Sequence, residues 1–224
     1  MSVAEASNPA SSPRAGARTT RLTGMTDLTP RREATVGRLV EAAITQFAAR
    51  GIDATSVEQL CDAAGFTRGA FYSNFTSKDD LCTAVIERYR DNVLASLSET
   101  IAELPPEADV ETVASTTLEH FLKVLAPSRE MKVTLTEIRL RALRSSGLAA
   151  QLEQLNEETR PALVGFIESL AERLDVKFVL PTEHILTIFD ALYSYETQGY
   201  NRDSVRQLLT PLAISLTRAS GKPQ

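Results

Sequence analysis

The chain of 224 residues contains no tryptophan, only two cysteines and two histidines, and no long run of apolar residues. Since a membrane-spanning helix needs about 20 apolar residues, none is expected, and the N-terminus lacks the apolar centre of a secretory signal peptide. We therefore expect a cytoplasmic protein with no membrane partner. Cys61 and Cys82 are interpreted as small apolar residues in a reducing compartment, with a redox pair as the alternative.

The scarcity of metal-ligating and nucleophilic patterns argues against an enzyme. His120 and His184 have no metal-ligand spacing with the cysteines, and neither a phosphate-binding loop nor a nucleophile elbow is present. We expect no metal, no cofactor and no catalytic site. A net charge of −5 also favours a specific, locally charged DNA reader over a general DNA coat, so any DNA contact must come from a few placed cations and helix N-termini.

Residues 51–81 have the pattern of two short helices joined by a tight turn, with the start of a third helix after them. Thr55 and Ser56 are both possible N-caps of the first, because an acid or amide follows each at the capping-box spacing. Its apolar residues recur at i, i+3, i+4 and i+7: Val57, Leu60, Cys61 and Ala64. Gly65 stands where a helix C-terminus favours positive φ. Such a helix-turn-helix places its second helix in a DNA major groove.

This stretch resembles the N-terminal signature of the tetracycline-repressor (TetR) family of bacterial transcription regulators. The matching pattern is Gly51-x3-Thr55-x-Val57-x2-Leu60-x3-Ala64-Gly65-Phe66-Thr67-x-Gly69-x-Phe71-Tyr72-x2-Phe75-x2-Lys78-Asp79-x-Leu81. With the helix before it, the match covers about fifty residues without a gap, and it departs mildly at Cys61 and Phe66. The resemblance implies a homodimeric repressor that a small effector releases from a near-palindromic operator. An adaptor of the same fold that no longer binds DNA is the alternative.

The remaining pattern is helical, which predicts an all-α protein in three segments. Residues 1–28 are read as a disordered arm, either dispensable or reaching DNA through its arginines; residues 29–82 as the three-helix DNA-binding head; and residues 83–224 as the effector-binding and dimerisation domain. A long helix from Ser77 to about Ala102 joins the last two. Further helices are predicted near 109–126, 128–146, 148–174, 182–198 and from about 201 or 203 to 220, and no strand is expected.

The expected DNA-contacting residues cluster on the head: Arg31, Arg32, Thr55, Ser56, Thr67, Arg68, Gly69, Ala70, Tyr72, Ser73, Asn74 and Lys78. Arg68 is the one long donor at the start of the second motif helix, so it is predicted to read a guanine edge or to contact a phosphate. The family resemblance implies that Tyr72 contacts a phosphate and that Lys78 contacts the DNA backbone.

The C-terminal segment offers less specific candidates. An effector pocket is predicted to involve Phe121, Leu125, Met131, Leu135, Ile138, Phe166 and Tyr193, each of which simple core packing would also explain; Glu137, Arg139, Arg141 and His120 are possible polar anchors. Since few charges interrupt the apolar stripes, we expect a mostly apolar ligand. A four-helix dimer interface, or packing within one chain, is predicted for Ile185, Ile188, Phe189, Leu192, Val205, Leu208, Leu209, Leu212 and Leu216.

Overall fold

A computed structural model of the chain describes residues 29–103, 128–197 and 202–219. In these ranges the chain forms helices α1 (Pro30–Arg50), α2 (Val57–Ala64), α3 (Arg68–Tyr72), α4 (Lys78–Glu103), α5 (Arg129–Ala142), α6 (Ser146–Arg173), α7 (Thr182–Thr197) and α8 (Arg202–Ser215). Two short strands are also present, β1 (Val176–Phe178) and β2 (Thr217–Ala219). The helix predicted near 109–126 lies outside the described residues. Among those described, no helix is both long and apolar enough to cross a membrane.

Local sequence signals set the boundaries of the first helices. Pro30 opens α1, where its fixed φ suits the first helical turn and its missing N–H costs nothing. Ser56 caps α2: its hydroxyl accepts a hydrogen bond from the N–H of Gln59 at 3.2 Å, and the side-chain oxygen of Gln59 accepts from the N–H of Ser56 at 2.9 Å. The predicted capping box is therefore formed by Ser56, and not by Thr55.

The backbone of the turn between α2 and α3 favours glycine. Gly65 has φ 69°, in the left-handed region that residues with a Cβ rarely adopt. A Cβ added there would lie 2.8 Å from a guanidinium nitrogen of Arg38, at the end of an exposed side chain that can move aside. The predicted C-terminal glycine of α2 is thus confirmed, and it fixes the direction in which α3 leaves the turn.

The core of the three-helix head continues into the helices that follow it. Its buried residues come from α1, α2, α3 and α4, and also from α5 and α6: Leu39, Phe47, Leu60, Phe71, Leu81, Val85, Ile138 and Leu148 among others. Thr134 of α5 is fully buried, and its hydroxyl donates to the carbonyl of Ile44 in α1 at 2.9 Å. Head and body are thus joined by shared packing, and the division at residue 82 stays a prediction.

The two strands correct the expectation that no strand exists. They pair antiparallel, with Val176 opposite Ala219 and Phe178 opposite Thr217. The last helix, predicted to reach residue 220, ends at Ser215, and the N–H of Val179 donates to the carbonyl of Leu216 at 2.9 Å. Pairing between segments about forty residues apart leaves no periodicity in a three-residue strand, which explains why the pattern missed it.

Both cysteines behave as small apolar residues. Cys61 and Cys82 are free thiols, buried in the head core. Burial raises the pKa of Cys82 to about 12, which keeps it protonated and poorly nucleophilic at neutral pH. This favours the packing interpretation over a redox pair.

Candidate nucleic-acid interface and ligand cavity

Helix α3 is anchored by one residue and exposes most of the others. Thr67 caps it by accepting a hydrogen bond from the N–H of Ala70 at 3.2 Å. Phe71 is fully buried and contacts the ring of Phe75, with ring centroids 5.6 Å apart. The opposite side presents Arg68, Gly69, Tyr72 and Ser73 to solvent, together with Thr67 itself, whereas Ala70 is half-buried. We call this exposed side of α3 the outer face of the head.

Arg68 on the outer face is held by two neighbours. Its guanidinium lies 2.6 Å from a carboxylate oxygen of Glu58 on α2, and 5.9 Å from the centre of the Tyr72 ring. A hydrogen bond with Tyr72, followed by the charge of Glu58, raises the pKa of Arg68. Backbone and Ser56 hydrogen bonds, followed by the charge of Arg68, lower the pKa of the Glu58 carboxyl. The predicted reading residue is therefore paired, although both partners are solvent-exposed and easily separated.

The far end of α3 is tied to the start of α1. Arg32 donates through Nε to the side-chain oxygen of Asn74 at 2.9 Å. The amide of Asn74 donates to the carbonyl of Ala70 at 2.8 Å, and Ser73 donates to the same carbonyl at 2.9 Å. Arg31, next to Arg32 in α1, is exposed, and so is Ser56 at the start of α2. The bond from Arg32 to Asn74 connects the start of α1 to the end of α3, and Arg32 remains exposed.

Two residues that were predicted to contact DNA form hydrogen bonds within the head. Thr55 is fully buried, and its hydroxyl donates to the carbonyl of Gly51 at 2.7 Å, so DNA does not reach it. The ammonium of Lys78 donates to the carbonyls of Ile52 at 2.7 Å and of Thr55 at 2.9 Å. The prediction for Thr55 is therefore corrected. A DNA contact by Lys78 stays a prediction, and its ammonium would have to share or leave these carbonyls.

A second polar group lies where the head meets α5 and α6. Arg141 of α5 forms ion pairs with Asp53, in the loop after α1, and with Asp79, in the first turn of α4. Ser145 donates to the other oxygen of Asp79 at 3.0 Å, and Glu137 accepts from the N–H of Ile52 at 3.4 Å. We call this group the junction. Glu137 and Arg141, expected as possible ligand anchors, are thus placed between head and body.

A cavity of about 730 Å³ lies in the body, within the usual size range of small-molecule sites. It is bounded by α4, α6, α7 and the strand pair, with two residues of α5, and most of the lining is apolar. Of the predicted effector residues, Leu135 and Phe166 line it. Phe121 and Leu125 lie outside the described residues, as does the side chain of Tyr193.

Met131 and Ile138 do not belong to this cavity. Ile138 is fully buried in the head core, and Met131 packs against that core. The apolar stripe of α5 is divided between two environments, because α5 packs on α1 along one side and meets the cavity on the other. The pattern located the stripe without showing which neighbour each residue contacts. For the same reason, the sequence did not predict that α4 forms part of the cavity wall, to which Tyr89, Val93 and Leu97 contribute.

The residues predicted for a dimer interface separate into two groups. Ile185 and Leu216 are buried inside the chain, and both line the cavity, as does the half-buried Phe189. These positions correct the prediction for Ile185 and Leu216, which are covered within one chain. Leu208 is 57% exposed, whereas Ile188, Leu192 and Leu212 are half-buried. The side chains of Val205 and Leu209 lie outside the described part of the chain.

Parts of the chain are similar in sequence to known bacterial transcription regulators. Residues 39–85 match the model of a family described as bacterial regulatory proteins, tetR family. The transcriptional repressor KstR2 of Rhodococcus jostii is 27% identical over 132 residues, which are 58% of this chain and 62% of that protein. The transcriptional activator FasR of Mycolicibacterium smegmatis is 32% identical over 65 residues, 29% of this chain and 30% of that protein. The chain thus matches less than two thirds of the length of these curated relatives.

A solved structure extends the likeness to most of the fold. The crystal structure of a TetR transcription regulator from Haloarcula marismortui aligns with a TM-score of 0.62 at 19% identity, covering 83% of this chain and 100% of that one. At that identity the likeness concerns the fold alone. Apart from the short strand pair, it confirms the predicted all-α architecture, and the family match over residues 39–85 supports the N-terminal DNA-binding head.

Proposed function

Because this chain belongs to the TetR family of bacterial regulatory proteins, we propose that it binds operator DNA as a homodimeric repressor and is released by a small, largely apolar effector. The observation that carries the proposal is the outer face of α3. A short helix, capped by Thr67 and anchored by Phe71, turns Arg68, Gly69 and Tyr72 outward together. This is how a recognition helix presents its first residues to base edges.

Each outer-face residue has a distinct task in this proposal. Arg68 exchanges Glu58 for a guanine edge or a phosphate, since an arginine fork matches both acceptors. Tyr72, 50% exposed, donates its hydroxyl to a phosphate. At Gly69 an added Cβ would meet nothing closer than the Thr67 hydroxyl at 3.7 Å, so the absent side chain serves close approach to DNA and not internal packing.

Other residues fix the register of the helix. The N–H groups at the start of α2, beside Ser56, face a phosphate with the positive end of the helix dipole. Arg31, Arg32, Ser73 and Asn74 contact the backbone at the other end of α3. With a chain charge of −5, these few contacts have to supply the attraction, and binding should therefore weaken steeply with salt.

The proposed dimer rests on the exposed apolar side of α7 and α8. Leu208 and Ile214 of α8 are 57% and 41% exposed, and Ile188 and Leu192 of α7, the preceding helix, are half-buried. Two such helices from each subunit form a four-helix bundle. A two-fold dimer would present two α3 helices to half-sites about 34–36 Å apart, which is one turn of DNA.

Effector release is proposed to act through α4. Ile86, Tyr89 and Val93 of α4 line the cavity, and the same helix begins at the junction with Asp79. A ligand that favours a different position of α4 would change the distance between the two α3 helices and so the fit to DNA. The effect is limited to the difference in ligand affinity between the two positions.

The test is selection of bound fragments from sheared genomic DNA, followed by affinity measurements at fixed salt. Wild type is expected to enrich a near-palindrome, and Arg68→Gln and Tyr72→Phe to lose roughly ten-fold in affinity for it. Arg129→Gln, an exposed arginine at the start of α5, serves as the matched control. A folded dimer that enriches no sequence at low salt would reject the repressor and leave an adaptor of the same fold, which the acidic charge would then suit.

A further inference from the structure

The cavity in the body is long and follows α6. Its α6 wall extends from Leu152 to Leu174, about 33 Å at 1.5 Å per residue. Contacts between neighbouring helices show which residues lie at the same level. Thr83 of α4 bonds to Gln151 of α6 at 3.0 Å, and Val93 and Leu97 pack with Leu163 and Phe166. Helices α4 and α6 therefore run in the same direction, away from the head.

Helix α7 runs in the opposite direction. Thr182 bonds to Glu168 at 3.3 Å, and Thr187 accepts from Arg160 at 3.5 Å. Later residues of α7 therefore approach the head, and Asp190 and Ser194 lie level with the early part of α6. Ser145 bonds to Asp79 at the start of α4, so α5 ends beside the head, and Arg139 near this end of α5 lines the cavity.

The polar lining of the cavity is concentrated at the head-side end. Four helices contribute it there: Tyr89 and Arg90 from α4, Arg139 from α5, Asn156 from α6, and Asp190 and Ser194 from α7. We call these six residues the polar layer. The other end is lined mostly by apolar residues, among them Leu170, Ala171, Leu174, Val176, Phe178 and Leu216. Two threonines beyond the layer, Thr159 and Thr217, donate to carbonyls of their own segments at 2.6 and 2.9 Å.

Within the polar layer, one cation is left for a ligand. Arg90 is paired with Asp91 at 2.7 Å. Arg139 lines the cavity with its side chain exposed, and no carboxylate forms an ion pair with it within the described ranges. The acid of the layer, Asp190, lies on another helix. A guanidinium at the polar end of a largely apolar cavity favours a ligand that ends in an anion.

Resting on the proposed function, we propose that the effector is an elongated amphiphile with one terminal anion, such as a carboxylate. Its anionic end binds Arg139 in the polar layer, near the head. Its apolar body extends along α6 toward Ala171 and the strand pair. The ligand then contacts α4 over Tyr89 and Val93, on the helix that leads to the junction.

Isothermal titration calorimetry on the full-length chain tests the anionic end, with decanoate, decan-1-ol and decylammonium as probes below their aggregation concentrations. Decanoate is expected to bind at least about ten-fold more tightly than the other two, because a charge-assisted hydrogen bond is stronger than a neutral one. Arg139→Gln should remove this preference, and Asp190→Asn should increase it, with decan-1-ol binding unchanged in both. Arg129→Gln, on the same helix but outside the cavity lining, should behave as wild type.

A series of chain lengths tests the orientation. Each added CH₂ from octanoate to octadecanoate, measured below the aggregation concentration of each acid, should raise the affinity about four-fold until the chain reaches Ala171, the factor that corresponds to burying one methylene. Ala171→Leu, which fills the far end, should stop this gain at a shorter chain while leaving octanoate binding intact. If the variant instead weakens all chain lengths equally, the acid does not lie at Arg139.

The remaining outcomes separate this proposal from the proposed function. Equal binding of decanoate and decan-1-ol, or an equal loss in Arg139→Gln and Arg129→Gln, overturns the anionic end. Failure of all three probes to bind overturns the amphiphile altogether. Operator binding is measured with no probe present, so neither of these results contradicts DNA recognition. Conversely, a folded dimer that selects no DNA sequence would contradict the proposed repressor but not the proposed ligand.

Discussion

Arginine forms different contacts on the outer face of the head and at the junction between the head and α5. On the outer face, Arg68 and Glu58 form an ion pair in which both side chains are more than half exposed, at 60% and 52%. At the junction, Arg141 and Asp79 are 27% and 22% exposed, and Arg141 bonds to a second acid and lies beside Ser145. Water screens the first pair and far less the second. The comparison shows that the same residue types give an exchangeable contact on the outer face and a fixed connection at the junction.

The largest effect on stability is expected from a change in the core of the head. Phe71 is fully buried, and its truncation to alanine should lower the free energy of unfolding by about 3–5 kcal/mol, since both apolar contact and packing are lost. Urea unfolding measures the loss. Tyr72→Ala, the exposed neighbour, should cost less than about 1 kcal/mol while abolishing operator binding. Similar losses in both variants would show that Tyr72 also belongs to the core.

Much of the outer face could be predicted from sequence, because its geometry is set by residues close together in the chain. The Ser56 cap, the Gly65 turn and the spacing of Phe71 and Tyr72 all act within about four residues, the range in which helix patterns are informative. These signals located α2 and α3 and the exposed positions between them. They also gave Thr55 a surface role, because a cap pattern does not show that a hydroxyl is buried.

The junction and the cavity depend on contacts that no local pattern records. Arg141 meets Asp79 and Asp53 across 62 and 88 residues of sequence. Leu135 and Ile138 occupy one predicted stripe, yet one lines the cavity and the other lies in the head core. Periodicity identifies the side of a helix that is covered, but the covering element is set by the tertiary arrangement.

The second prediction concerns the fixed connection. Arg141→Met keeps much of the side chain's volume but leaves Asp53 and Asp79 without their shared cation, and should lower the free energy of unfolding by about 1–2 kcal/mol. Urea unfolding at neutral pH measures it. Arg144→Met, an exposed arginine one turn along the same segment, is the matched control. An equal loss in both variants would mean that net charge, and not the junction, is responsible.

Arg141→Met should also weaken the response to ligand. If the junction transmits the movement of α4, operator binding should persist while the effect of a bound effector on it falls. The ratio of operator affinities with and without ligand measures this coupling. An unchanged ratio in a folded variant would move the coupling path away from Asp79.

The third prediction uses pH and a neighbouring acid. Burial opposes ionisation of Asp80, but hydrogen bonds from the hydroxyl and N–H of Thr76, from Gln151 and from Ser77 outweigh it, so the pKa of Asp80 is lowered. A lowered folded-state pKa stabilises the fold above the unfolded value of about 3.9, and this stability is lost as pH falls through the folded pKa. Asp80→Asn should therefore lower the free energy of unfolding at pH 7 by about 1 kcal/mol.

The difference between wild type and Asp80→Asn should then disappear in strong acid, where the wild-type carboxyl is also protonated. Urea unfolding at pH 7, 5, 4 and 3 follows it. Asp62→Asn, an exposed acid on α2, provides the control for a general change in charge. A difference that persists undiminished to the lowest pH would show that Asp80 acts through shape and not through its charge.

The smallest effect on stability, and the sharpest test of the comparison, is expected from Glu58→Gln. Because both partners on the outer face are exposed, removing this carboxylate should leave the urea midpoint nearly unchanged. It should free Arg68 for any phosphate, so binding to unrelated DNA should strengthen several-fold and the preference for the operator should narrow. The salt dependence of binding to both DNAs separates the contribution of phosphate contacts from that of base contacts. Glu33→Gln on α1 is the control for lost negative charge. If Glu58→Gln destabilises the fold as Arg141→Met does, the outer pair is a structural connection, and Arg68 is not available to DNA in the way proposed.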